Sequence, residues 1–264
     1  MLMPNILTDI VRQKGQEVSD RKAKLPGSML ERGIEVYRSP SFEEALRKNF
    51  QTYILEIKPA SPSGGVFHET LHDVDNLRHL LSCYHEFASA LSVLTDTTFF
   101  QGSFELLTSV VHNTTLPVLC KDFIFDPYQV YEARKAGASA ILLIVKILTD
   151  TNLIQLSTLA KSLGMTPVIE IQNQEELNRA LIADPTVLLI NNRNLDTMAV
   201  SLETTLKLAP LIPEGVLRIS ASGIESREDI NRLSAVCSSF LIGSAFMRAQ
   251  PELLASTLRE MLYA

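Results

Sequence analysis

Lys58 and Lys121 each close an apolar β-type run, and Glu56 and Glu170 lie within two such runs. An ammonium at the end of a buried strand is costly to desolvate unless it is paired or meets an anion. The two glutamates are the expected counter-charges. Two Lys–Glu sets facing one cavity would supply acids and bases whose pKa values are tuned apart, as general acid–base catalysis requires. Taken alone, the same four residues also describe a structural salt-bridge network. Asn191 and Arg193 end a further run and add an amide and a fork-shaped cation, suited to a carboxylate or to hydroxyls. Ser222-Gly223 and Gly243-Ser244 follow two more runs. Small residues there let backbone N–H groups at a helix start face an anion, or simply make tight turns; as a pair after successive strands they point to phosphate. Ser61, in A-S-P-S-G-G, is a third phosphate candidate.

All these residues sit at the carboxyl end of a strand-like segment, and that shared placement predicts the fold. Apolar β-type runs fall near 53–58, 90–94, 117–120, 140–145, 167–171, 187–190, 216–220 and 239–242. Most lack a clean alternation of polar and apolar residues, the mark of parallel strands buried on both faces. Segments of helical period lie between them, at 71–87, 104–111, 127–136, 149–163, 174–181, 202–208, 227–233 and 251–262. Strands alternating with helices of this size mean βαβ units. Eight units, with chemistry on one rim, favour a closed (βα)8 TIM barrel, of α/β class, over an open sheet. Residues 5–23 and 41–48 read as two further helices, an N-terminal helical extension over 1–50 ahead of a barrel over 51–264. The spacing leaves open whether the extension plugs the bottom of the barrel or covers its rim.

The 264 residues show no linker tract or shift in composition, so a single domain is expected. A net charge of −6, with both signs interspersed, argues against nucleic-acid binding but not against a small anion. The first ten residues do not read as a signal peptide. The longest apolar run, 138–148, is too short to span a bilayer and is broken by Lys146. Cys83, Cys120 and Cys237 are widely spaced, as expected of reduced thiols in a cytoplasmic protein. A monomer is the working expectation, although nothing in the sequence sets the oligomeric state. His68-Glu69-Thr70-Leu71-His72 matches the H-E-x-x-H string of zinc proteases. It follows a P-S-G-G turn and has no third-ligand motif downstream, so no metal site is expected.

Several longer strings resemble the indole-3-glycerol phosphate synthase family almost end to end. They are I-x-x-x-K-x-x-E-V from Ile10 to Val18, I-L-E-I-K-P-A-S-P-S, S-V-L-T-D-T-T-F-F-Q-G-S, C-K-D-F-I-F-D-P-Y-Q, I-N-N-R and F-L-I-G-S-A. The resemblance implies a (βα)8 enzyme of tryptophan biosynthesis. It would close 1-(2-carboxyphenylamino)-1-deoxyribulose 5-phosphate to indole-3-glycerol phosphate, with loss of carbon dioxide and water and without a metal or organic cofactor. On matching positions, Lys121 resembles the acid that protonates the ketone oxygen. Lys58 resembles the lysine that engages the anionic substrate; which lysine acts at which step stays open. Glu56 and Glu170 resemble the groups that position the lysines and take the proton in dehydration. Asn191 and Arg193 resemble a polar clamp, and Phe123 an aromatic wall for the anthranilate ring. Ser61, Ser222, Gly223, Gly243 and Ser244 resemble the phosphate cradle.

Two positions depart from the family pattern. The I-S-E-S-G-I string reads Ile219-Ser220-Ala221-Ser222-Gly223-Ile224 here, so a rim carboxylate is missing, and N-N-R-D-L has Asn194 in place of aspartate. Ala221 motivates the competing expectation of a slowed or non-catalytic barrel that only binds a phosphorylated ligand. An isomerase of the same fold would instead need a Cys/Asp acid–base pair on the rim. Cys120, one residue before Lys121, should point the wrong way for that.

Overall fold

The computed structural model describes residues 6–32, 34, 39–62, 64–67, 71 and 73–263, and omits the side chain of Pro251. Among these residues, eight parallel strands close into a barrel. They are β1 (Thr52–Ile57), β2 (Ala90–Leu94), β3 (Val118–Lys121), β4 (Ala140–Ile144), β5 (Thr166–Ile171), β6 (Val187–Asn191), β7 (Leu217–Ala221) and β8 (Ser239–Ile242). Each pairs with its sequence neighbours, and β1 closes the ring on β8 with Ile54 beside Leu241. The expected (βα)8 architecture is the observed one.

The alternation of side chains across each strand sorts the core into two shells. Ile54, Leu119, Leu142, Val168, Leu189, Ile219 and Leu241 fill the inside of the barrel. Their neighbours Leu55, Leu91, Cys120, Ile141, Ile169, Leu188 and Phe240 pack outward against the helices. The same period of two carries the inner face upward. Ile54 leads to Glu56 and Lys58, Leu119 to Lys121 and Phe123, Val168 to Glu170, and Leu189 to Asn191 and Arg193. Polar residues that follow inner core residues at this spacing must emerge over one mouth.

The helices are α1 (Ile6–Lys24), α2 (Gly27–Arg32), α3 (Phe42–Arg47), α4 (Val74–His85), α5 (Thr97–Phe100), α6 (Phe104–His112), α7 (Pro127–Lys135), α8 (Asp150–Ser162), α9 (Gln174–Ile182), α10 (Glu203–Leu208), α11 (Arg227–Leu233), α12 (Ser244–Met247) and α13 (Leu254–Tyr263). Asp126 caps α7 through a capping box with Gln129, and Pro127 opens it. The helix expected from Leu71 starts at Val74, because the Asp73 carboxylate accepts the N–H groups of Asp75 and Asn76 and fixes the end there. Val74 is consequently 50% exposed, while Leu71 is buried outside the helix. The short helices α2, α5 and α12 lie below the length at which periodicity is readable.

The extension does both things the sequence left open. Phe42 and Leu46 of α3 join the inner shell at the bottom, beside Ile54 and Ala90 at the start of their strands. Ile6, Leu7 and Ile10 of α1 lie over the opposite mouth and line the same cavity as Glu56, Lys121 and Glu170. No helix among the described residues is long and apolar enough to cross a membrane.

Candidate active site

Glu56 is the centre of the charged cluster. Its buried carboxylate accepts the Lys58 ammonium on Oε1 at 2.6 Å and the Lys121 ammonium on Oε2 at 2.9 Å. The two-set pairing expected from sequence is therefore corrected: both lysines share one glutamate. Glu170 instead accepts a hydrogen bond from Asn191 Nδ2 at 3.0 Å, across the β5–β6 pair. The reason is geometric. Glu56 and Lys58 are two apart on the inward face of β1, and Lys121 reaches across from β3, which is not a neighbour of β1 in the ring.

These placements push the two carboxyls apart. Burial opposes ionisation of Glu56, but the Lys121 and Lys58 ammonium groups, each hydrogen-bonded to it, overcome that and hold it at about 2. Burial likewise disfavours charged Lys121, yet Glu56 and then Glu170 outweigh it and hold the ammonium above its ordinary value. For Glu170 burial wins over the pull of Lys121 and the Asn191 amide, so its carboxyl sits above the usual range. One carboxyl is thus held down and the other held up, the separation from which acid and base roles are made.

The phosphate candidates gather at the β1, β7 and β8 side of the cavity. Ser61, Ser222, Gly223, Gly243 and Ser244 all line it, with Lys58 Nζ donating to Ser244 Oγ at 3.3 Å. Ser222 and Gly223 both adopt left-handed backbone, φ 71° and 76°. A side chain on Gly223 would meet Val200 at 2.3 Å, and one on Gly243 would meet Glu56 Oε1 at 2.3 Å. Gly243 therefore also makes room for the central carboxylate, beyond the turn-forming role its sequence suggests. Gly243 precedes α12 without a side-chain cap, and the Ser61 hydroxyl accepts the N–H of Gly64 at 3.0 Å.

The other half of the cavity is apolar. Phe123 and Phe100 stand with ring centroids 6.0 Å apart, at the ends of β3 and α5, and line it with Ile6, Leu7 and Ile10. Arg193 also lines it. Its backbone N–H donates to Asn191 Oδ1 at 3.0 Å and its guanidinium donates to the carbonyl of Met198. Ala221 lines the rim beside Asn191, its register partner on β6. All twelve residues singled out from sequence border this one cavity. His68, Glu69 and His72 of the H-E-x-x-H string lie outside the described residues. Among the described residues, no group of three or more His, Cys, Asp or Glu is placed to hold a metal ion. Cys120 faces the outer shell, away from the cavity, and burial pushes its thiol up, which suits neither role in an isomerase pair.

The indole-3-glycerol phosphate synthase family model matches residues 7–258. The chain belongs to that family. Members close by in sequence include the tryptophan biosynthesis protein TrpCF of Vibrio cholerae, 42% identical over 93% of this chain and 51% of that protein. TrpCF of Salmonella typhi is 42% identical over 98% of this chain and 56% of its own length. This member of the family spans about half the length of the curated relatives it matches. Two solved structures share the fold at low identity. A chain of the tryptophan synthase complex from Pyrococcus furiosus superposes with a TM-score of 0.60 at 15% identity, covering 82% of this chain and all of that one. The 3-keto-L-gulonate-6-phosphate decarboxylase of Vibrio cholerae gives 0.59 at 17%, covering 80% and 97%.

Several cavity residues of this synthase-family chain carry no signal in sequence alone. Phe100 ends a four-residue helix, and Leu7 and Ile10 lie far from the barrel in sequence. Asn192 is another. It donates to the carbonyl of Ser222 and the hydroxyl of Ser220, and accepts from Thr205, so it holds the 222–223 turn in shape. The doubled asparagine of I-N-N-R was the one available clue, because adjacent residues on a strand face opposite sides.

Proposed function

We propose that this chain is an indole-3-glycerol phosphate synthase acting on 1-(2-carboxyphenylamino)-1-deoxyribulose 5-phosphate. The observation that carries the reading is the Glu56 carboxylate between Lys58 and Lys121, set between an aromatic wall and two small-residue loops. The phosphate fits the side formed by Ser61, Ser222, Gly223, Gly243 and Ser244, and the anthranilate ring fits against Phe123 and Phe100. In the first step the ring carbon bearing the carboxylate attacks the ketone carbon, and the C=O electron pair moves onto oxygen. Lys121, a charged ammonium flanked by two glutamates, donates its proton there. The transfer is downhill because an alkoxide is a stronger base than an amine. Carbon dioxide then leaves, and its bonding pair returns to the cationic ring. Finally the new hydroxyl takes a proton from the Lys58 ammonium and departs as water, while a ring proton is removed and its bonding pair closes the new double bond. Glu170, whose carboxyl burial holds above the usual range, takes that proton, with Asn191 fixing its orientation.

Lys58 serves the anion and not the ketone in this reading, because it reaches Ser244 on the phosphate side. Arg193 and Asn191 clamp the reacting part of the substrate. No metal or organic cofactor is needed, since every charge that develops has a side-chain partner. We read residues 1–264 as one catalytic domain, on the ground that extension and barrel line the same cavity. A cytoplasmic setting is inferred from the free, mostly buried cysteines.

Steady-state assays should show turnover of the carboxyphenylamino ketose phosphate, with one carbon dioxide released per indole fluorophore formed. Binding of the phosphorylated product without any turnover would favour the competing reading, a barrel that only holds a phosphorylated ligand. Ala221 is the observation behind that competitor. A glutamate there would place a second carboxylate beside Asn191 and push the Glu170 carboxyl further up, since like charges disfavour ionisation. Ala221→Glu is expected to raise turnover several-fold and move the acidic limb of the pH–rate profile upward. Equal turnover and superimposable profiles would remove Ala221 as a modulator.

A further inference from the structure

Lys14 is the buried basic residue of the Ile10–Val18 string, a string to which the chemistry above gives no task. On an amphipathic surface helix a lysine ordinarily faces water. Here it is 1% exposed, on the buried stripe of α1 with Leu7, Ile10 and Val18. Its ammonium lies 2.8 Å from Asp96 Oδ2, 3.1 Å from Asp122 Oδ1 and 3.0 Å from Glu17 Oε2. Burial opposes the charge on Lys14, but Asp122 and Asp96 outweigh it and hold the ammonium well above its ordinary value.

What those carboxylates do with their remaining lone pairs gives the cluster its meaning. Asp96 Oδ1 accepts the backbone N–H groups of Phe99 at 2.7 Å and Phe100 at 3.2 Å, and so caps α5. Asp122 Oδ1 accepts the N–H of Phe123 at 2.8 Å, and its Oδ2 accepts the Thr95 hydroxyl at 2.8 Å. One ammonium therefore ties together the two backbone segments that carry Phe100 and Phe123. The same contact draws α1 onto the rim, one and two turns from Ile10 and Leu7, which line the cavity in one apolar cluster with those rings.

We propose that Lys14 is a positioning residue for the aryl-binding half of the cleft, holding Phe100 and Phe123 through Asp96 and Asp122 while docking Leu7 and Ile10 over them. The assignment rests on the synthase reading for the identity of the aryl substrate, but its mechanical part does not. Lys14 touches neither the phosphate loops nor Glu56. Its loss should weaken recognition of the ring without weakening recognition of the phosphate.

The test compares wild type, Lys14→Met and Lys14→Arg. Methionine keeps the stem and removes the charge; arginine keeps the charge but places a larger fork in the slot. Lys14→Met is expected to raise KM for the carboxyphenylamino ketose phosphate about 10-fold or more while kcat falls less, the signature of lost binding common to ground and transition states. Inhibition by inorganic phosphate should be unchanged. Hydrogen exchange should quicken at the amides of Phe99, Phe100 and Phe123 and along α1, a readout that needs no substrate. Wild-type turnover reports on the synthase reading, and the exchange pattern reports on Lys14 whether or not that reading holds. Unchanged exchange at those amides in a folded Lys14→Met would overturn the proposal. So would a parallel loss of phosphate and aryl recognition, the mark of general loosening. Lys14→Arg, which keeps the charge, should recover part of the wild-type KM. Should Lys14→Met fail to fold, Asp96→Asn takes its place: wild-type KM and exchange there would overturn the proposal equally, and a raised KM with unchanged phosphate inhibition would support it.

Discussion

Lys121→Met is expected to lower turnover by about 10²–10⁴-fold, the range that a positioned proton donor supplies, while leaving the fold intact. The asymmetry follows from the sharing of Glu56. Removing Lys121 leaves that carboxylate still bonded to Lys58 at 2.6 Å, so no buried charge is stranded. Methionine also fills the space of the lysine stem against the inner shell. The substrate should still bind, because Lys58, Ser244 and the loops after β7 and β8 are untouched. The expected result is thus a fall in kcat with KM changed little and an unfolding midpoint close to wild type. Lys58→Met is the comparison, with the opposite balance: a raised KM and a smaller loss of kcat. If Lys121→Met retained more than a tenth of wild-type turnover, proton donation to the ketone would have to be assigned elsewhere, and Lys58 would be the first alternative.

The lysine pair also marks how far the sequence could be read. Strand order and the common rim were legible because a parallel strand buried on both faces leaves a continuous apolar run, and a polar residue there interrupts it conspicuously. The link from Glu56 to Lys58 was legible too, since residues two apart on a strand share a face. Which acid Lys121 would meet was not. That depends on distances across the mouth of a closed ring, and a list of strands holds no such information. Both glutamates lie on inward faces at the same height, and only the coordinates put one between the ammonium groups and the other against an amide.

Lys14 was illegible for a different reason. Its partners Asp96 and Asp122 follow separate strands, and each looks locally like a cap or loop residue, which each also is. The helix that carries Lys14 has the ordinary amphipathic pattern. Only docking against the rim turns its buried stripe into part of the cavity. The extension therefore had to be seen in place, with α3 below the barrel and α1 above it, before its contribution could be separated from simple packing. Caps set the helix starts at both Asp126 and Asp73; the start expected at Leu71 failed because an apolar residue preceding the cap extends the helical period without belonging to the helix.

Glu56→Gln should cost both stability and activity, and the two losses have separate pH signatures. The substitution keeps the shape but leaves two ammonium groups facing a neutral amide in a buried setting. Breaking a buried ion pair from one side costs about 3–5 kcal/mol. The sign of the pH dependence follows from the depressed carboxyl. Held at about 2 in the folded protein against 4.5 ordinarily, Glu56 favours the folded state fully above pH 4.5, and that contribution drains away as pH falls toward 2. Urea unfolding at neutral pH should therefore separate the two proteins, and their stabilities should converge across that acidic window. Activity should respond at the other end of the scale. Glu56 is the leading charge that raises the Lys121 pKa against burial, so its removal should lower that pKa and bring the alkaline limb of the pH–rate profile to lower pH. A Glu56→Gln protein as stable as wild type at neutral pH, with its acid unfolding and alkaline limb both unmoved, would mean that the carboxylate does not hold the two lysines in solution, and the acid–base assignment built on it would fail.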